Sequence, residues 1–271
     1  MTVKDKILQG RTYLGIELGS TRIKAVLIDD SFSVIASGSK QWENRFENGC
    51  WTYSLDDIHG GIQACYKDLA ENVKAQYGIY PETYGAMGIS AMMHGYMAFD
   101  KNDKLLVPFR TWRNTMTAQA AGELTKLLGF NIPQRWSIAH LYQAVLNKEA
   151  HVPYIAYINT LAGYVHKRLT DRFEVGVGEA SGIFPVEGIG YKKEYCEPTE
   201  KSLAEKGFDH KLKDILPAVR NAGEKGAVLT EEGARFLDPE GRLKAGVPVC
   251  PPEGDAGTGI CLLYTSDAAD D

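Results

Sequence analysis

Residues 14–28 read Leu-Gly-Ile-Glu-Leu-Gly-Ser-Thr-Arg-Ile-Lys-Ala-Val-Leu-Ile. Two apolar runs that favour β-strands, residues 13–16 and 23–28, lie on either side of the small polar segment Gly19-Ser20-Thr21. This pattern predicts a β-hairpin with a polar turn, and we expect that hairpin to begin the central sheet of the protein.

The turn of this hairpin carries groups that could hold a phosphate. Gly19 permits a positive φ and a close approach of an anion to the backbone, while Ser20 and Thr21 add hydroxyl donors. Lys24 adds positive charge, and Glu17 could orient a hydrated Mg²⁺. The same residues also suit an ordinary hairpin with a polar turn, so this stretch alone leaves both interpretations open.

The composition excludes some classes of partner. The 271 residues carry a formal net charge of -5 and contain no run rich in Lys and Arg, so we expect no nucleic-acid partner. Residues 1–10 are charged, and no apolar run is long enough to cross a bilayer. We therefore expect neither a signal peptide nor a membrane partner.

The cysteines indicate a reducing compartment. They are Cys50, Cys65, Cys196, Cys250 and Cys261. Their wide spacing, with no Cys-x-x-Cys pair and no paired histidines, predicts neither a disulfide framework nor a zinc site. A cytoplasmic location fits this pattern best.

The segments after the hairpin predict a mixed sheet. We expect a third strand at residues 32–37, and a loop at 41–53 that leads into an amphipathic helix ending near Gly78. Apolar runs at 86–90 and 95–99 predict further strands. A strand that follows a helix is typical of mixed sheets with helical crossovers, so we expect an α/β fold with helices on both faces.

The middle and the end of the chain predict further helices and loops. Helical periodicity at residues 115–128, 138–149 and 157–170 indicates helices that form a cap. The glycine-rich residues 171–196 are expected to form loops with short strands. The remaining predicted elements are a helix at 209–215, a helix capped by Thr230 and a strand at 247–250.

A second glycine-rich bend, residues 254–259, follows the last predicted strand. It carries one carboxylate, Asp255, and one hydroxyl, that of Thr258. A single acid on such a bend is well placed to take a proton from a substrate hydroxyl. A plain turn is the alternative, and the segment by itself does not decide between the two.

In their order along the chain, these segments resemble the FGGY carbohydrate kinases, the sugar kinases of the actin and hexokinase superfamily. The resemblance covers nearly the whole chain. It rests on residues 13–28, Met93-His94-Gly95, residues 108–114 with Trp112, residues 157–170, Ala180-Ser181-Gly182, Ile215-Leu216-Pro217, Gly226 with Thr230-Glu231-Glu232, and residues 244–249 leading into Gly254-Asp255. It implies a ribonuclease-H-like α/β domain with a mixed sheet flanked by helices.

The resemblance also implies roles for individual residues. Asp255 matches the catalytic base, which removes a proton from the sugar hydroxyl that attacks the γ-phosphate of ATP. Sugar contacts are implied for Met93, His94, Gly95, Trp112 and Arg113, and phosphate contacts for Gly19, Ser20, Thr21, Lys24, Gly257 and Thr258. The implied cofactors are ATP and Mg²⁺, with Glu17 acting on the metal through water. Without the resemblance, a structural histidine at a strand end would be the favoured interpretation of His94.

Three positions depart from the pattern of the family. Glu17 stands where the family usually has Asp. Its side chain is one methylene longer, and this difference matters because Mg²⁺ tolerates little displacement. Ala91-Met92 replaces the Gly-Gln of typical xylulose kinases, and Arg113-Asn114 also departs from the usual residues. Since two of these changes lie near the expected sugar, xylulose or a similar pentulose is only the favoured ketose.

The resemblance also suggests how the chain is divided. We expect an N-terminal extension at residues 1–10, a sugar-binding N-terminal domain at 11–260, and a non-native tail at 261–271, whose small and acidic residues build no apolar face. Family members continue into a second domain that supplies the ATP pocket, and we expect it to be missing here. The chain alone is then expected to be inactive, and a homodimer is compatible with the sequence.

Two other functions remain open at this point. One is a non-catalytic sugar-binding pseudokinase, suggested by Glu17 and by the missing domain, which would bind ketoses without turnover. The other is an actin-like ATPase that acts on a protein partner, for which ATP hydrolysis without ketose would be diagnostic. Met93-His94-Gly95 favours the sugar kinase over the ATPase.

Overall fold

The computed structural model describes residues 1–224 and 226–258. The helices are α1 (Val3–Leu8), α2 (Leu55–Tyr77), α3 (Ala118–Leu128), α4 (Ser137–Leu146), α5 (Leu161–Thr170), α6 (Val177–Ala180), α7 (Lys193–Glu205), α8 (Leu212–Ile215) and α9 (Glu231–Leu237), with a 3₁₀ turn at Val152–Tyr154. The strands are β1 (Thr12–Leu18), β2 (Arg22–Asp29), β3 (Val34–Gln41), β4 (Arg45–Glu47), β5 (Cys50–Thr52), β6 (Ala86–Ala91), β7 (Met97–Phe99), β8 (Tyr157–Asn159), β9 (Glu174–Gly176), β10 (Val186–Glu187), β11 (Gly190–Tyr191), β12 (Ala218–Arg220), β13 (Ala227–Val228), β14 (Pro248–Val249) and β15 (Glu253–Gly254).

The central sheet is mixed, as predicted. Its strand order is β13-β14-β6-β1-β2-β3, and β15 also pairs with β6. Strands β1, β2 and β3 are antiparallel neighbours, which confirms the expected three-stranded start of the sheet. β6 runs parallel to β1, and β14 and β15 run parallel to β6. The helix between β3 and β6 is thus the crossover that parallel pairing requires.

One face of this sheet forms the main core. Leu14, Ile16 and Leu18 of β1 are buried in a cluster with apolar residues of α2, α5 and α9. The alternate residues of β1 include Gly15 and Glu17, which are exposed or half-buried. Helices flank the sheet as predicted, but in the described residues they cover this face rather than both. The physical reason is that apolar residues alternate with small or polar ones along the strand. Only one face of the sheet is therefore apolar enough to be stabilised by burial.

The long helix α2 begins and ends as its sequence predicts. Ser54 and Asp57 form a capping box, in which the Ser54 hydroxyl accepts from the Asp57 backbone N–H at 3.0 Å. Gly78 ends the helix in the left-handed conformation at φ 74°. On the sheet side, Gly38 of β3 lies against the helix backbone, so that an added Cβ would be 2.5 Å from the carbonyl oxygen of Cys65.

A second apolar cluster forms the cap. It joins α3, α4, α7 and α8 to residues that follow β6, among them Tyr96 and Ile183. The predicted helix at 157–170 does not belong to this cap as a whole. Its first residues form β8, which pairs with β7, and α5 begins only after Thr160, whose hydroxyl caps it. The apolar side of α5 packs in the main core.

Several other expectations needed correction. Residues 41–53 are not a simple loop, because β4 and β5 form a short hairpin there. Helix α7 occupies Lys193–Glu205, so its first turn lies within the glycine-rich residues 171–196 that were predicted to form loops with short strands. α1 lies within residues 1–10, the predicted N-terminal extension, and its Ile7 is buried in the main core. The predicted tail at 261–271 lies outside the described residues.

The part of the chain that the structure describes has no helix that is both long enough and apolar enough to cross a bilayer.

The close approach of β3 and α2 gives a first testable prediction. Replacing Gly38 by Ala should lower the free energy of unfolding by about 2–3 kcal/mol, because the new Cβ meets backbone atoms of α2 that cannot rotate away. Urea unfolding measures the change. Gly88→Ala in β6 is the matched control, since nothing lies within 4 Å of a Cβ there. Equal stabilities of the two variants would contradict this account of the helix packing.

Candidate functional site

Asp255 lies where β15 ends beside β6. Gly254 is the register partner of Ala91, so the parallel pairing brings Asp255 next to the residues that follow β6. Oδ1 of Asp255 accepts a hydrogen bond from the backbone N–H of Met93 at 3.0 Å and another from Ala256 at 2.9 Å. Residues 255–258 are helical rather than the open bend that the glycines predict. The carboxylate is thus held by the backbone of two separate segments.

A cavity of about 550 Å³ opens on the uncovered face of the sheet beside Asp255. Among its lining residues are Glu17, Lys24, Asp255 and Thr258, four of the residues predicted to act on phosphate, metal or proton. Glu17 and Lys24 are register partners on β1 and β2, and Nζ of Lys24 lies 3.6 Å from Oε2 of Glu17. The Thr258 hydroxyl is 3.2 Å from that of Ser90.

The residues that line this cavity suit a hydrated Mg²⁺ ion that is itself bound to phosphate groups. Mg²⁺ usually keeps several waters and binds proteins through one or two carboxylates. Glu17, Glu253 and Asp255 supply three carboxylates around one cavity, and the ammonium group of Lys24 lies beside Glu17. Within residues 1–224 and 226–258, no group of three or more His, Cys, Asp or Glu side chains could hold a metal ion by itself.

The predicted phosphate turn, Gly19-Ser20-Thr21, is anchored at its backbone. The indole N–H of Trp42 donates to the Gly19 carbonyl at 2.7 Å, and the Tyr53 hydroxyl donates to the Ser20 carbonyl at 2.5 Å. The side chains of Ser20 and Thr21 are exposed at the sheet end. Gly19 does not adopt the positive φ that glycine permits. Its small size instead matters because a Cβ would lie 3.1 Å from the Arg22 carbonyl oxygen.

His94 and Gly95 form a turn in an unusual backbone conformation. Their φ angles are 70° and 101°, and a Cβ at Gly95 would lie 2.7 Å from Phe109 and 2.8 Å from the Arg110 carbonyl oxygen. Gly95 is therefore required by the fold whatever else it does. Burial and the nearby Arg135 lower the pKa of His94, although Asp255 acts in the opposite direction. The imidazole is consequently neutral at neutral pH.

The predicted loop with Trp112 and Arg113 docks on β5. The side chain of Asn114 binds both backbone groups of Trp51, at 2.8 Å each. The Arg113 guanidinium stacks on the Trp51 ring, with its carbon 4.0 Å from the ring centroid, and Trp112 is 43% exposed. Neither Trp112 nor Arg113 lines the cavity beside Asp255. A larger cavity, of about 730 Å³, involves α2, α5 and α9 and contains none of the predicted site residues.

Two acidic residues next to Asp255 were not predicted from the sequence. Glu179 of α6 is fully buried, and Glu253 directly precedes Gly254-Asp255. The backbone N–H of Glu179 donates to Oε2 of Glu253 at 3.1 Å. The position of Glu253 beside the predicted base was a signal that could have identified it. Nothing in the sequence around Glu179 indicates that this residue is buried, because its neighbours are small and glycine-rich.

The environment of Glu179 favours its neutral form. Burial raises the pKa of Glu179 to about 8; the Thr160 hydroxyl opposes the shift, and the carboxylates of Glu253 and Asp255 add to it. Among the described residues, no group meets hydrogen-bond geometry with either carboxylate oxygen of Glu179. An ionised carboxylate without partners is costly in such a place, so the side chain is protonated at neutral pH.

Comparison with known proteins gives a consistent family. Residues 12–260 match the N-terminal domain of the FGGY family of carbohydrate kinases. A protein named xylulose kinase from Haemophilus influenzae is 25% identical over 239 residues, which are 83% of this chain and 47% of that protein. The chain thus spans about half the length of this relative.

Solved structures show the same fold. A xylulose kinase from Rhodospirillum rubrum superposes with a TM-score of 0.71 at 17% identity, covering 91% of this chain and 49% of that one. A gluconate kinase from Lactobacillus acidophilus also gives a TM-score of 0.71, at 18% identity, covering 90% of this chain and 48% of that one. The fold is therefore the actin- and hexokinase-like α/β fold that the family resemblance implied.

The buried Glu179 predicts a dependence of stability on pH. The ordinary pKa of a glutamate side chain is 4.5 and that of Glu179 in the folded protein is about 8, so the native protein holds a proton that the unfolded chain releases. This contribution to stability is complete below about pH 4.5 and is lost as the pH rises through about 8, at a rate of at most about 1.4 kcal/mol per pH unit.

Glu179→Gln should remove this dependence because glutamine does not ionise. Urea unfolding of both proteins between pH 5 and 8.5 should show the variant gaining stability relative to the wild type as the pH rises. Two curves that stay parallel would mean that Glu179 does not hold its proton in the native state.

Proposed function

This chain belongs to the FGGY family of carbohydrate kinases, and we propose that it is the sugar-binding half of an ATP-dependent kinase that phosphorylates a ketose hydroxyl. A pentulose such as xylulose is the favoured substrate. The observation that carries the proposal is the surroundings of Asp255, whose carboxylate accepts the Met93 N–H and lines one cavity together with Lys24. Asp255, the proposed base, thus lies between the segment of Met93, which is proposed to contact the sugar, and Lys24, whose positive charge suits a phosphate.

Asp255 is the proposed general base. Two backbone N–H groups hold its Oδ1 and fix the orientation of the carboxylate relative to the end of β6. As the sugar oxygen forms a bond to the γ-phosphorus, its proton passes to Asp255, and the bond from that phosphorus to the β–γ bridging oxygen breaks. Phosphoryl transfer of this kind depends mainly on positioning and charge neutralisation.

Phosphate contacts are proposed for Lys24, Thr258, Gly257 and the turn Gly19-Ser20-Thr21. Mg²⁺ bound to ATP would neutralise charge on the transferred group, with Glu17 reaching it through water. Lys24 is half-exposed and its partner Glu17 is similarly accessible. An ion pair of this kind contributes little in water, so an arriving phosphate can compete for Lys24 at small cost.

The sugar contacts are proposed for Met93, His94, Gly95, Trp112 and Arg113. The lowered pKa of His94 keeps its ring neutral, so the ring can both donate and accept a hydrogen bond with ketose hydroxyls. The relatives bear the names of different substrates, which include xylulose and gluconate. The preference for a ketose therefore rests on Met93-His94-Gly95 and on the relatives that are named xylulose kinase.

A second domain is part of the proposal. The relatives are about twice as long as the matched region, and we propose that the full-length protein has a further domain which supplies the ATP pocket. The open face of the sheet around Lys24 would face that domain. The 271-residue chain alone should then bind ketose but not phosphorylate it.

The first test of this function is Asp255→Asn in the full-length protein. The kcat for ketose phosphorylation should fall by about 100- to 10,000-fold, because the amide cannot take the proton, while the affinity for ketose changes little. Coupled ADP release measures the rate. Asp171→Asn is the matched control, since Asp171 is an exposed residue at the end of α5.

Three outcomes would contradict the proposal. If Asp255→Asn leaves the rate of phosphorylation unchanged, Asp255 is not the general base. Saturable ketose binding without turnover in the wild-type full-length protein indicates the pseudokinase, and ATP hydrolysis that ignores ketose indicates the actin-like ATPase.

The role of His94 can be tested on the 271-residue chain itself. His94→Asn should weaken xylulose binding about tenfold in calorimetric titration, because one or two hydrogen bonds to hydroxyls are lost. Asparagine is chosen because it tolerates the positive φ of this position. His210→Asn, at an exposed histidine, should leave the affinity unchanged. Equal affinities of the two variants would exclude a sugar contact at His94.

A further inference from the structure

The side chain of Glu253 occupies a slot that two glycines leave open. A Cβ at Gly176 would overlap Oε1 of Glu253, and a Cβ at Gly178 would lie 2.6 Å from its Oε2. The backbone of Gly176 has φ -70° and ψ 160°, a conformation that any residue adopts. Glycine is therefore required at position 176 by the space that the carboxylate takes, and its backbone conformation imposes no such requirement.

Hydrogen bonds fasten the two segments on either side of this slot. Oε2 of Glu253 accepts the backbone N–H of Glu179 at 3.1 Å, and the backbone N–H of Gly176 donates to the Pro252 carbonyl at 2.8 Å. These bonds tie α6 to the chain immediately before Asp255. Burial raises the pKa of Glu253, and the backbone N–H groups of Glu179 and Gly178 at the start of α6 oppose that shift by stabilising the carboxylate.

The other end of α6 lies against His94. A Cβ at Gly182 would be 2.5 Å from Nδ1 of His94 and 3.3 Å from Cε of Met93. The carbonyl of Gly182 also accepts the Ser137 N–H at 3.4 Å, which links this end to α4 of the cap. The short segment 176–182 therefore spans from β15, which directly precedes Asp255, to the turn that carries His94.

We infer that Glu253 is a positioning residue for the proposed base: its carboxylate, seated in the slot of Gly176 and Gly178, fixes the distance between Asp255 and the sugar-contacting turn. The inference rests on the proposed function, in which Asp255 takes the proton. Glu253 also lines the cavity beside Asp255, but this role requires no contact between Glu253 and sugar or phosphate. It acts through the strand that it holds against α6.

A double-mutant cycle tests whether the slot exists as described. Gly176→Ala alone should lower the Tm of the 271-residue chain by roughly 4–8 °C, because the new methyl group displaces the carboxylate. In the Glu253→Ala background the slot is empty, so adding Gly176→Ala should change the Tm by less than about 2 °C. Gly190→Ala is the control in both backgrounds, since nothing lies within 4 Å of its Cβ. If the effects of the two substitutions on the Tm are additive, the Glu253 side chain does not occupy the space beside Gly176.

Kinetics of the full-length protein test the positioning role. Glu253→Ala should lower kcat for ketose phosphorylation about 10- to 100-fold and leave KM for the ketose within about threefold, because a displaced base slows proton removal more than it weakens binding. Glu253→Gln should keep kcat within about threefold of the wild type, since its amide oxygen still accepts the Glu179 N–H.

These outcomes separate the possible failures. A lower Tm with an unchanged kcat in Glu253→Ala would mean that Glu253 is only structural, which overturns the inference. A failure of Glu253→Gln to restore kcat while the Tm recovers would overturn it as well. A wild-type full-length protein that phosphorylates no ketose refutes the proposed function and with it the positioning role, whereas the Tm cycle still decides whether the slot is present.

Discussion

The alternation of residues along β1 is the constraint on which the rest of this structure depends. Leu14, Ile16 and Leu18 must be covered, and α2, α5 and α9 cover them. The residues between them are small or charged, so the opposite face stays open and becomes the wall of a cavity. Because side chains alternate between the two faces of a strand, the pattern that builds the core also leaves the opposite face available for polar groups.

Parallel pairing then determines where the site lies. Because β15 runs parallel to β6, both strands end at the same edge of the sheet, and the residues that follow them meet there. Asp255 and Met93 come from positions 162 residues apart and are joined by one hydrogen bond. The cap contributes its part through the segment 176–182, which contacts Glu253 and His94 at this edge.

Three carboxyl groups crowd this edge, and each is stabilised differently. The carboxylate of Asp255 accepts backbone N–H groups, that of Glu253 accepts the N–H groups at the start of α6, and Glu179 stays protonated because it is buried without partners. Since two of the three groups are held by backbone donors, the edge carries less repulsion than its composition suggests. Glu179, the group with no such donor, is the one that the environment keeps neutral.

The sequence by itself determined the hairpin of β1 and β2, the capped helix α2, the mixed order of the sheet and the position of Asp255 after a late strand, because these follow from local periodicity, caps and glycine-rich turns. Only the tertiary structure decided that one face of the sheet stays open, that residues 157–159 form a strand, that Gly19 lacks a positive φ, and that Glu179 and Glu253 lie beside Asp255. These features depend on which distant segments meet, and no local pattern records how closely a glycine such as Gly176 lets another side chain approach.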